Sequence, residues 1–152
     1  MLTAQVEPYE NCVLELKALY PAHWEELALD TEHEEAALAP LWKVYDERNA
    51  QGQLLLVTLR ELGTMAGYFL GFIAPGLHYR NCLTYHGDIF RVLPEYRNRF
   101  GGLRMARCVI AECKRRGVKR MFVGEKLHMP SGRLFSALGF KPIEKTYSLW
   151  IE

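Results

Sequence analysis

The sequence predicts one α/β domain, of the mixed α+β kind, in which helices cover a mixed sheet. The chain has 152 residues, which suits one domain of ordinary size. Hydrophobic residues make up 49% and charged residues 24% of it, as in globular proteins. The local patterns follow the order helix, helix, strand, strand, strand, helix, strand, helix, strand, which is typical of a layered domain.

The first third of the chain predicts two helices. Apolar residues recur at helical spacing from Tyr9 to about Tyr20, and Pro21 is expected to end this first helix. A second helical pattern ends near Asn49, before Gly52. A short strand from Leu2 to Val6 is a candidate start of the sheet.

The middle of the chain predicts the sheet. The segments Gln53–Arg60 and Met65–Ala74 are rich in β-formers and are joined by ELGT, so they predict an antiparallel hairpin. The stretch APGLHYRN is predicted to be a loop, and Cys82–Leu93 to be a third strand that ends before Pro94.

A helix is predicted from Gly102 to Arg116 and is expected to end at Gly117. Its inward face is predicted to comprise Leu103, Ala106, Ile110 and Cys113. The stretch VKRMFVGEK then predicts a short strand and PSGRLFSAL a short helix. The final FKPIEKTYSLWIE predicts two short strands or one bent strand.

Charge and cysteine usage exclude several classes of protein. A formal net charge of +1 argues against a surface built entirely for nucleic acid. No secretory signal and no apolar stretch of membrane-spanning length are visible, so a soluble, cytoplasmic protein without membrane contact is expected. The four cysteines have neither CxxC pairing nor zinc-ligand spacing with the histidines, so reduced thiols and no metal are expected.

The stretch LPEYRNRFGG places glycines and arginines where the strand ends and the next helix begins. The first turn of a helix has free backbone N–H groups and the positive end of the helix dipole, so it holds anions. Gly101 and Gly102 would let a phosphate approach the backbone, and Arg97, Arg99 and Arg104 would add positive charge. A glycine-containing turn with solvated arginines is the alternative. The pattern matches neither a P-loop nor a GxGxxG fingerprint.

This stretch resembles the acetyl-CoA-binding motif of the GNAT superfamily of N-acetyltransferases. GRLFSALGFKPIEKTYSLW is similar to the late segment of that superfamily. The resemblance implies a mostly antiparallel sheet with helices on both faces and two splayed strands that form an acetyl-CoA cleft. LHYR, GDIF and KLH followed by GRLF also look similar to small GNAT proteins of tailed phages, which would place the chain in a host bacterial cytoplasm.

The resemblance implies that acetyl-CoA, the co-substrate, lies between the Ile89–Leu93 strand and the Val118–Glu125 strand. Its pyrophosphate would meet the backbone from Arg97 to Gly102. In the family's motif, the position of the first glycine corresponds to Phe100, so this sequence departs from the family's pattern there. The implied cofactor-binding residues are Phe90, Arg91, Val92, Arg97, Asn98, Arg99, Phe100, Gly101, Gly102, Leu103 and Arg104.

Acetyl transfer to an amine needs a group that removes a proton, because an alkylamine with a pKa near 10.4 is protonated at neutral pH. Strand alternation puts His86, Asp88, Phe90 and Val92 on one face of the sheet. A base often lies on this strand in the resembled family, so His86 is the first candidate and Asp88 the second. Structural hydrogen bonds within the sheet are the alternative for both.

The tyrosine that often serves as general acid in the superfamily falls here on Phe135, which has no proton to give. His128 is the first candidate to supply this proton in place of Phe135, and Tyr147 and water are the other candidates. The cysteines Cys108 and Cys113 are interpreted as small buried thiols, and the resemblance implies direct attack in a ternary complex rather than an acyl-cysteine.

Two segments fall where GNAT proteins build the acceptor pocket. The first contributes His23, Trp24, Glu25 and Glu26, and the second His78, Tyr79 and Arg80. Paired acids there would suit a cationic amine. The expected acceptor is a primary amine on a small molecule, a protein or a nucleobase, and the chain is expected to be a monomer or homodimer. The alternatives are an inactive acyl-CoA-binding protein and a nucleic-acid-binding module that uses the arginines.

Overall fold

The structure is a computed structural model that describes residues 1–29 and 32–151. Its strands are β1 (Thr3–Val6), β2 (Leu54–Glu61), β3 (Thr64–Gly76), β4 (Tyr79–Val92) and β5 (Arg120–Phe122). Its α-helices are α1 (Tyr9–Leu27), α2 (Trp42–Ala50), α3 (Gly101–Arg115) and α4 (Gly132–Ala137). Two 3₁₀ turns cover Glu34–Ala36 and Pro94–Tyr96.

The five strands form one open sheet in the order β1-β2-β3-β4-β5. All neighbouring strands are antiparallel except β4 and β5, which are parallel. Helix α3 and the α4 residue Phe135 pack on one face, and α1 and α2 pack on the other. The mixed, mostly antiparallel α/β fold predicted from the sequence is therefore confirmed.

Both faces of the sheet are buried in the middle of β2, where residues 54–59 are all enclosed. This explains why LLLVTL is apolar throughout, because a strand covered on both sides has no solvated face. Alternate β2 residues enter the two cores: Leu55, Val57 and Leu59 face α3, whereas Leu54 and Leu56 face α1. The sheet is thus a rigid platform for the residues of the next strands.

The expected end of the first helix was wrong. Helix α1 continues through Pro21 to Leu27, with Tyr20 and His23 buried on either side of the proline. Proline removes one helical hydrogen bond, but the packing of the buried face against the sheet keeps the helix intact. The second helix begins only at Trp42.

The predicted loop APGLHYRN is mostly strand, because β3 reaches Gly76 and β4 starts at Tyr79, with these two residues paired across the hairpin. Helix α3 buries Met105 and Val109 where Leu103 and Ile110 were expected; the other two expected residues, Ala106 and Cys113, are buried. The buried stripe is shifted around the helix because its first turn packs on β2 at Gly101.

The terminal strands expected from FKPIEKTYSLWIE are absent from the described part of that stretch, residues 140–151. Residues 141–151 are exposed, and none of them belongs to a strand of the described sheet. Alternating β-formers alone do not make a strand without a paired neighbour. Glu152, the last residue of the expected strand, lies outside the described residues.

Candidate active site

A cavity of about 280 Å³ lies between β4 and the chain that follows β5. The ladder between these strands is short: it pairs Thr84–His86 with Arg120–Phe122 and then stops. Beyond His86 the two chains separate and leave the cavity between them. The cavity is lined by His23, Leu27, Phe69, Gly87, Asp88, Ile89, Phe90, Val123, Gly124, Glu125, Lys126, Met129, Ser131 and Phe135.

A β-bulge in β4 sits at the cavity. Leu70 of β3 is paired with Ile89, and its neighbour Gly71 with Gly87, so Asp88 is the extra residue. The alternation of side chains changes at this point. The predicted common face is therefore wrong for Phe90 and Val92, which pack on the α3 side.

The bulge leaves His86, Asp88 and Arg91 on the α1 side of the sheet. The Tyr45 hydroxyl, which belongs to α2, donates a hydrogen bond of 2.5 Å to Asp88 Oδ2. Arg91 reaches the Leu19 carbonyl of α1 at 3.2 Å. Since the cavity is lined by His23 and Asp88 from one side and by Phe69 and Phe135 from the other, it passes through the plane of the sheet.

Of the two residues predicted as bases, only Asp88 lines the cavity. His86 is exposed, and its ring stacks on Phe122 with 5.0 Å between centroids and an interplanar angle of 9°. Burial raises the pKa of Tyr45, and the hydrogen bond to Asp88 raises it further. Tyr45 therefore stays protonated and remains a hydrogen-bond donor to the Asp88 carboxylate.

Phe135 is only 6% exposed and lies in an aromatic cluster with Phe69, Phe90 and Phe140. The wall of the cavity therefore has an apolar ring at the position where the resembled family often has a proton donor. The predicted substitute His128 lies outside the cavity lining, and its Nε2 is 3.2 Å from the carbonyl oxygen of Glu26. Tyr147, the other side-chain candidate, is exposed.

The loop after β4 presents backbone N–H groups. Asn98 and Phe100 have positive φ angles of 62° and 58°, and Phe100 is the residue before α3. The Arg104 N–H donates to the Phe100 carbonyl at 3.0 Å, so the N–H groups of residues 101–103 have no intrahelical partner. The ring of Phe100 is 74% exposed and points away from the core. Phe100 thus adopts the left-handed backbone that suits glycine and leaves the helix start open.

The two glycines at the start of α3 also have a packing role that sequence reasoning missed. A Cβ at Gly101 would lie 2.4 Å from Leu59 Cδ2, which is closer than real contacts allow. A Cβ at Gly102 would lie 3.1 Å from the ring of Phe90. Glycine at these positions lets the first turn of α3 rest directly on the sheet.

The loop arginines are held by carboxylates and carbonyls. Arg97 donates from Nε to the Val92 carbonyl at 2.9 Å and from Nη2 to Glu26 Oε2 at 2.5 Å. Arg99 pairs with Glu61 at 2.5 Å, and Arg104 donates to the Leu2 carbonyl at 3.1 Å. These contacts place the guanidinium groups around the loop.

Glu26 is a site residue whose contacts the sequence did not reveal. Its two carboxylate oxygens bind the guanidinium groups of Arg91, which is 6% exposed, and Arg97. Burial acts to raise the pKa of Glu26, but the hydrogen bonds from both arginines lower it overall. The end of α1 is thereby tied to both β4 and the loop.

His23, which the sequence placed in a segment of the acceptor pocket, does line the cavity. It lies three residues before Glu26 on α1 and is only 6% exposed. Its Nδ1 is 2.8 Å from the hydroxyl of Tyr68 on β3. Burial lowers the pKa of His23 to about 4, and the nearby charge of Arg91 lowers it too. His23 is therefore neutral at physiological pH.

Apart from His23, the predicted acceptor residues do not gather at this cavity. Trp24 is half-buried and Glu25 is exposed, and neither lines the cavity. His78 and Tyr79 are exposed at the tip of the β3–β4 hairpin. Tyr79 begins β4, and at about 3.3 Å per residue it lies roughly 30 Å along the strand from Asp88.

Neither a metal site nor a membrane-spanning helix is found among the described residues. Within residues 1–29 and 32–151, no group of three or more His, Cys, Asp or Glu side chains is placed to hold a metal ion. No helix in that part of the chain has the length and apolarity needed to cross a membrane.

Several solved structures share this fold over nearly the whole chain. A predicted acetyltransferase from Clostridium acetobutylicum, solved with acetyl-CoA, has a TM-score of 0.74 at 11% identity, covering 98% of this chain and 96% of its own. Glucosamine-6-phosphate N-acetyltransferase from Arabidopsis thaliana has a TM-score of 0.71 at 11% identity, covering 100% and 99%. An aminoglycoside acetyltransferase from an uncultured soil metagenomic sample has a TM-score of 0.73 at 15% identity, covering 100% and 99%.

At these identities the structures show the fold alone. No curated relative matches the chain significantly. The comparisons give no support to a phage origin or to a cellular location. The model of the Acetyltransferase (GNAT) family, however, matches residues 15–140, which is most of the chain. Together with the open sheet, the parallel β4–β5 pair that separates beyond His86 and the glycine-containing start of α3, this match shows that the chain belongs to the Acetyltransferase (GNAT) family.

Proposed function

We propose that this protein is an N-acetyltransferase that moves the acetyl group of acetyl-CoA to a primary amine by direct attack in a ternary complex. The observation that carries the proposal is the cavity that passes through the sheet between β4 and the chain after β5. A cavity lined by residues from both faces of the sheet suits a reaction in which acetyl-CoA approaches from one side and an amine from the other. Family membership supports acyl transfer as the reaction class.

The loop after β4 is the proposed pyrophosphate site. The free N–H groups at the start of α3 and the positive end of its dipole suit an anion. Arg99 and Arg104 lie on this loop and helix and add positive charge. The pantetheine arm would run along β4 near Val92. In this structure the carbonyl oxygen of Val92 accepts a hydrogen bond from Arg97 Nε.

The proposed reaction requires only groups that the two substrates and the protein supply. The amine lone pair attacks the thioester carbon, and the carbonyl electron pair moves onto oxygen. This pair returns as the carbon–sulfur bond breaks, and sulfur leaves with the bonding electrons as a thiolate, which takes up the proton that the nitrogen releases. The nitrogen gives up one proton to Asp88, directly or through water. Asp88 is the favoured acceptor of that proton because it lines the cavity, whereas His86 does not.

Direct attack fits the cysteines of the chain. Burial raises the pKa of Cys113 to about 11 and that of Cys108 above its ordinary value. Neither thiol is readily ionised at neutral pH, so an acyl-cysteine intermediate is disfavoured.

The test is mass spectrometry of a panel of amines incubated with labelled acetyl-CoA, alongside calorimetry of acetyl-CoA binding. We expect acetylated product with the wild type, a large loss with Asp88→Asn, and little change with Glu47→Gln, an exposed carboxylate on α2. His86→Ala is measured in parallel. Full activity of Asp88→Asn overturns the assignment of Asp88, and failure to bind acetyl-CoA overturns the function.

A non-catalytic acyl-CoA-binding protein is the second candidate. The observation that favours it is Phe135, which puts an apolar ring in the cavity wall and supplies no proton. Tight acetyl-CoA binding without thiol release across the whole amine panel would select this candidate.

A further inference from the structure

The mechanism above leaves one buried polar side chain in the cavity without a role. His23 is enclosed to more than nine-tenths, yet it lines the cavity together with Leu27, Asp88 and Ile89. Its Nδ1 is engaged by Tyr68 at 2.8 Å, and its Nε2 has no hydrogen-bond partner among the residues that the structure describes. Because His23 lines the cavity, Nε2 is available for a hydrogen bond to a molecule bound there.

The neighbours of His23 decide which ring nitrogen carries the proton. Burial raises the pKa of Tyr68 to about 12, although the nearby Arg91 guanidinium acts to lower it, so the phenol keeps its proton. Among the hydrogen bonds of the described residues, His23 Nδ1 at 2.8 Å is the acceptor available to this buried hydroxyl proton, so the Tyr68 O–H donates to it. The proton of the neutral imidazole is then on Nε2.

We infer that the Nε2–H of His23 donates a hydrogen bond to the thioester oxygen of acetyl-CoA and stabilises the negative charge that develops there during amine attack. This inference rests on the proposed function and adds a residue from α1 to it. His23 keeps its own proton throughout the reaction. A neutral donor that is fixed before the reaction suits an oxyanion, because its alignment costs nothing as the charge appears.

The charges around His23 explain why it remains a neutral donor. Arg91 from β4 and Arg97 from the loop disfavour the imidazolium, whereas Glu26 from α1 favours it. Burial is the largest influence and disfavours the charged form. Tyr68 from β3 fixes the tautomer and is a positioning residue, since it touches His23 and does not line the cavity.

The first experiment observes the histidine itself. Nitrogen-15 NMR of the whole chain at pH 7 should show His23 neutral, with the proton on Nε2 and a lone pair on Nδ1. Adding acetyl-CoA should shift the Nε2 signal more than adding CoA, which lacks the thioester oxygen. An Nδ1–H tautomer, an imidazolium at pH 7, or an equal response to both compounds overturns the inference.

The second experiment measures turnover with acetyl-CoA and the best amine of the panel. Removing one donor to an oxyanion lowers kcat by about 10²-fold or more. We therefore expect His23→Leu to lose about 100-fold in kcat with little change in the KM for acetyl-CoA. His23→Asn, which keeps an N–H group, should recover part of the loss. Tyr68→Phe should lower kcat less and shift the NMR tautomer ratio, which a merely structural role would not do.

The two proposals fail in distinguishable ways. If the chain acetylates amines and His23→Leu folds with unchanged kcat, the role of His23 is overturned and the proposed function stands. If acetyl-CoA does not bind at all, the proposed function falls, and the lack of any Nε2 response removes the role of His23 with it. His33→Gln, at a half-buried histidine that stacks on Trp150, is the control and should leave kcat unchanged.

Discussion

Two regions that meet at the carboxyl-terminal end of β4 handle charge by different means. The loop before α3 offers backbone N–H groups, and its Phe100 ring is turned out to solvent. The end of α1 offers buried side chains, with His23 in the cavity and Glu26 bound to two arginines. Backbone donors are present whatever the side chain, so the loop keeps its geometry with an unusual residue. The end of α1 depends on the identity of each residue.

The ion pair between Arg97 and Glu26, at 2.5 Å, joins the two regions. Arg97 opens the loop, and its Nε also holds the Val92 carbonyl. The position of the end of α1 is therefore coupled to the position of the loop. Substitutions that affect one region and not the other test whether the loop depends on its backbone and the end of α1 on its side chains.

The largest expected effect comes from removing the carboxylate that joins the regions. Glu26→Ala leaves the guanidinium of Arg91, 6% exposed, without its charged partner. Breaking a buried ion pair in this way costs about 3 kcal/mol of the free energy of unfolding. Urea unfolding at pH 7 measures the loss.

The matched control is Glu25→Ala, which removes the same group from the exposed side of the same helix turn. It should change the free energy of unfolding by no more than about 0.5 kcal/mol. Equal effects of the two substitutions would show that the network at the end of α1 contributes nothing specific.

The different construction of the two regions explains what the sequence could predict. The anion loop is a local pattern, since strand end, glycines and helix start follow one another within LPEYRNRFGG. The Glu26 network joins α1 to β4 and the loop, far apart in the chain, and no local spacing indicates such a contact. The sequence placed His23 in a segment of the acceptor pocket, but its contact with Tyr68 of β3 was hidden for the same reason.

The second prediction separates the regions by pH. Burial lowers the pKa of His23 to about 4 from an ordinary value near 6.5, with Arg91 and Arg97 acting in the same direction and Glu26 opposing them. Between these two values the unfolded chain binds the proton more tightly than the folded chain, so acid favours unfolding. The free energy of unfolding should fall by about 2 kcal/mol from pH 7 to pH 4.5 through this group alone.

Urea unfolding across that pH range, with the wild type and His23→Gln compared, measures the contribution. The variant should lose most of the slope above pH 5, because the group that titrates there is gone. His78→Gln, at the exposed hairpin tip, should keep the wild-type slope. A wild-type slope in His23→Gln would contradict the assignment.

The third prediction concerns the contact between the loop region and the core. Gly101→Ala would put a Cβ 2.4 Å from Leu59 Cδ2, and Leu59 is fully buried. Overpacking of this kind costs about 2 kcal/mol and moves the first turn of α3 away from the sheet. Because the free N–H groups move with that turn, calorimetry should also show weaker acetyl-CoA binding.

Gly102→Ala is the neighbouring control. Its nearest contact would be 3.1 Å from the half-buried ring of Phe90, which can yield, and alanine favours the helix. The free energy of unfolding should change by no more than about 0.5 kcal/mol. If both alanines are tolerated equally, the close approach of α3 to Leu59 is not a constraint.

The bulge at Asp88 shows a second limit of sequence reasoning. Strict alternation along TYHGDIFRV places Phe90 with His86, but one extra residue in β4 turns Phe90 and Val92 to the α3 face. The side-chain pattern on one strand cannot reveal a bulge, because a bulge depends on how the partner strand is paired. Fold class was predictable from the order of elements; the faces of this strand were not.

The smallest expected effect is at Phe100, the residue that departs from the family's glycine. Its φ of 58° is the left-handed conformation, which costs a residue with a Cβ about 1–2 kcal/mol. Phe100→Gly removes that strain but gives the unfolded chain more freedom, which costs about 0.4–1 kcal/mol. The net result should be a gain of about 0.5 kcal/mol in the free energy of unfolding.

Phe100→Ala separates the backbone from the ring, since alanine removes the exposed ring but keeps the Cβ. It should be less stable than Phe100→Gly and close to the wild type, because the 74% exposed ring contributes little packing. Acetyl-CoA affinity should be similar in all three proteins if the site consists of backbone N–H groups. A large affinity change in Phe100→Ala would show instead that the ring takes part in binding, and the contrast between a backbone-built loop and a side-chain-built end of α1 would no longer hold.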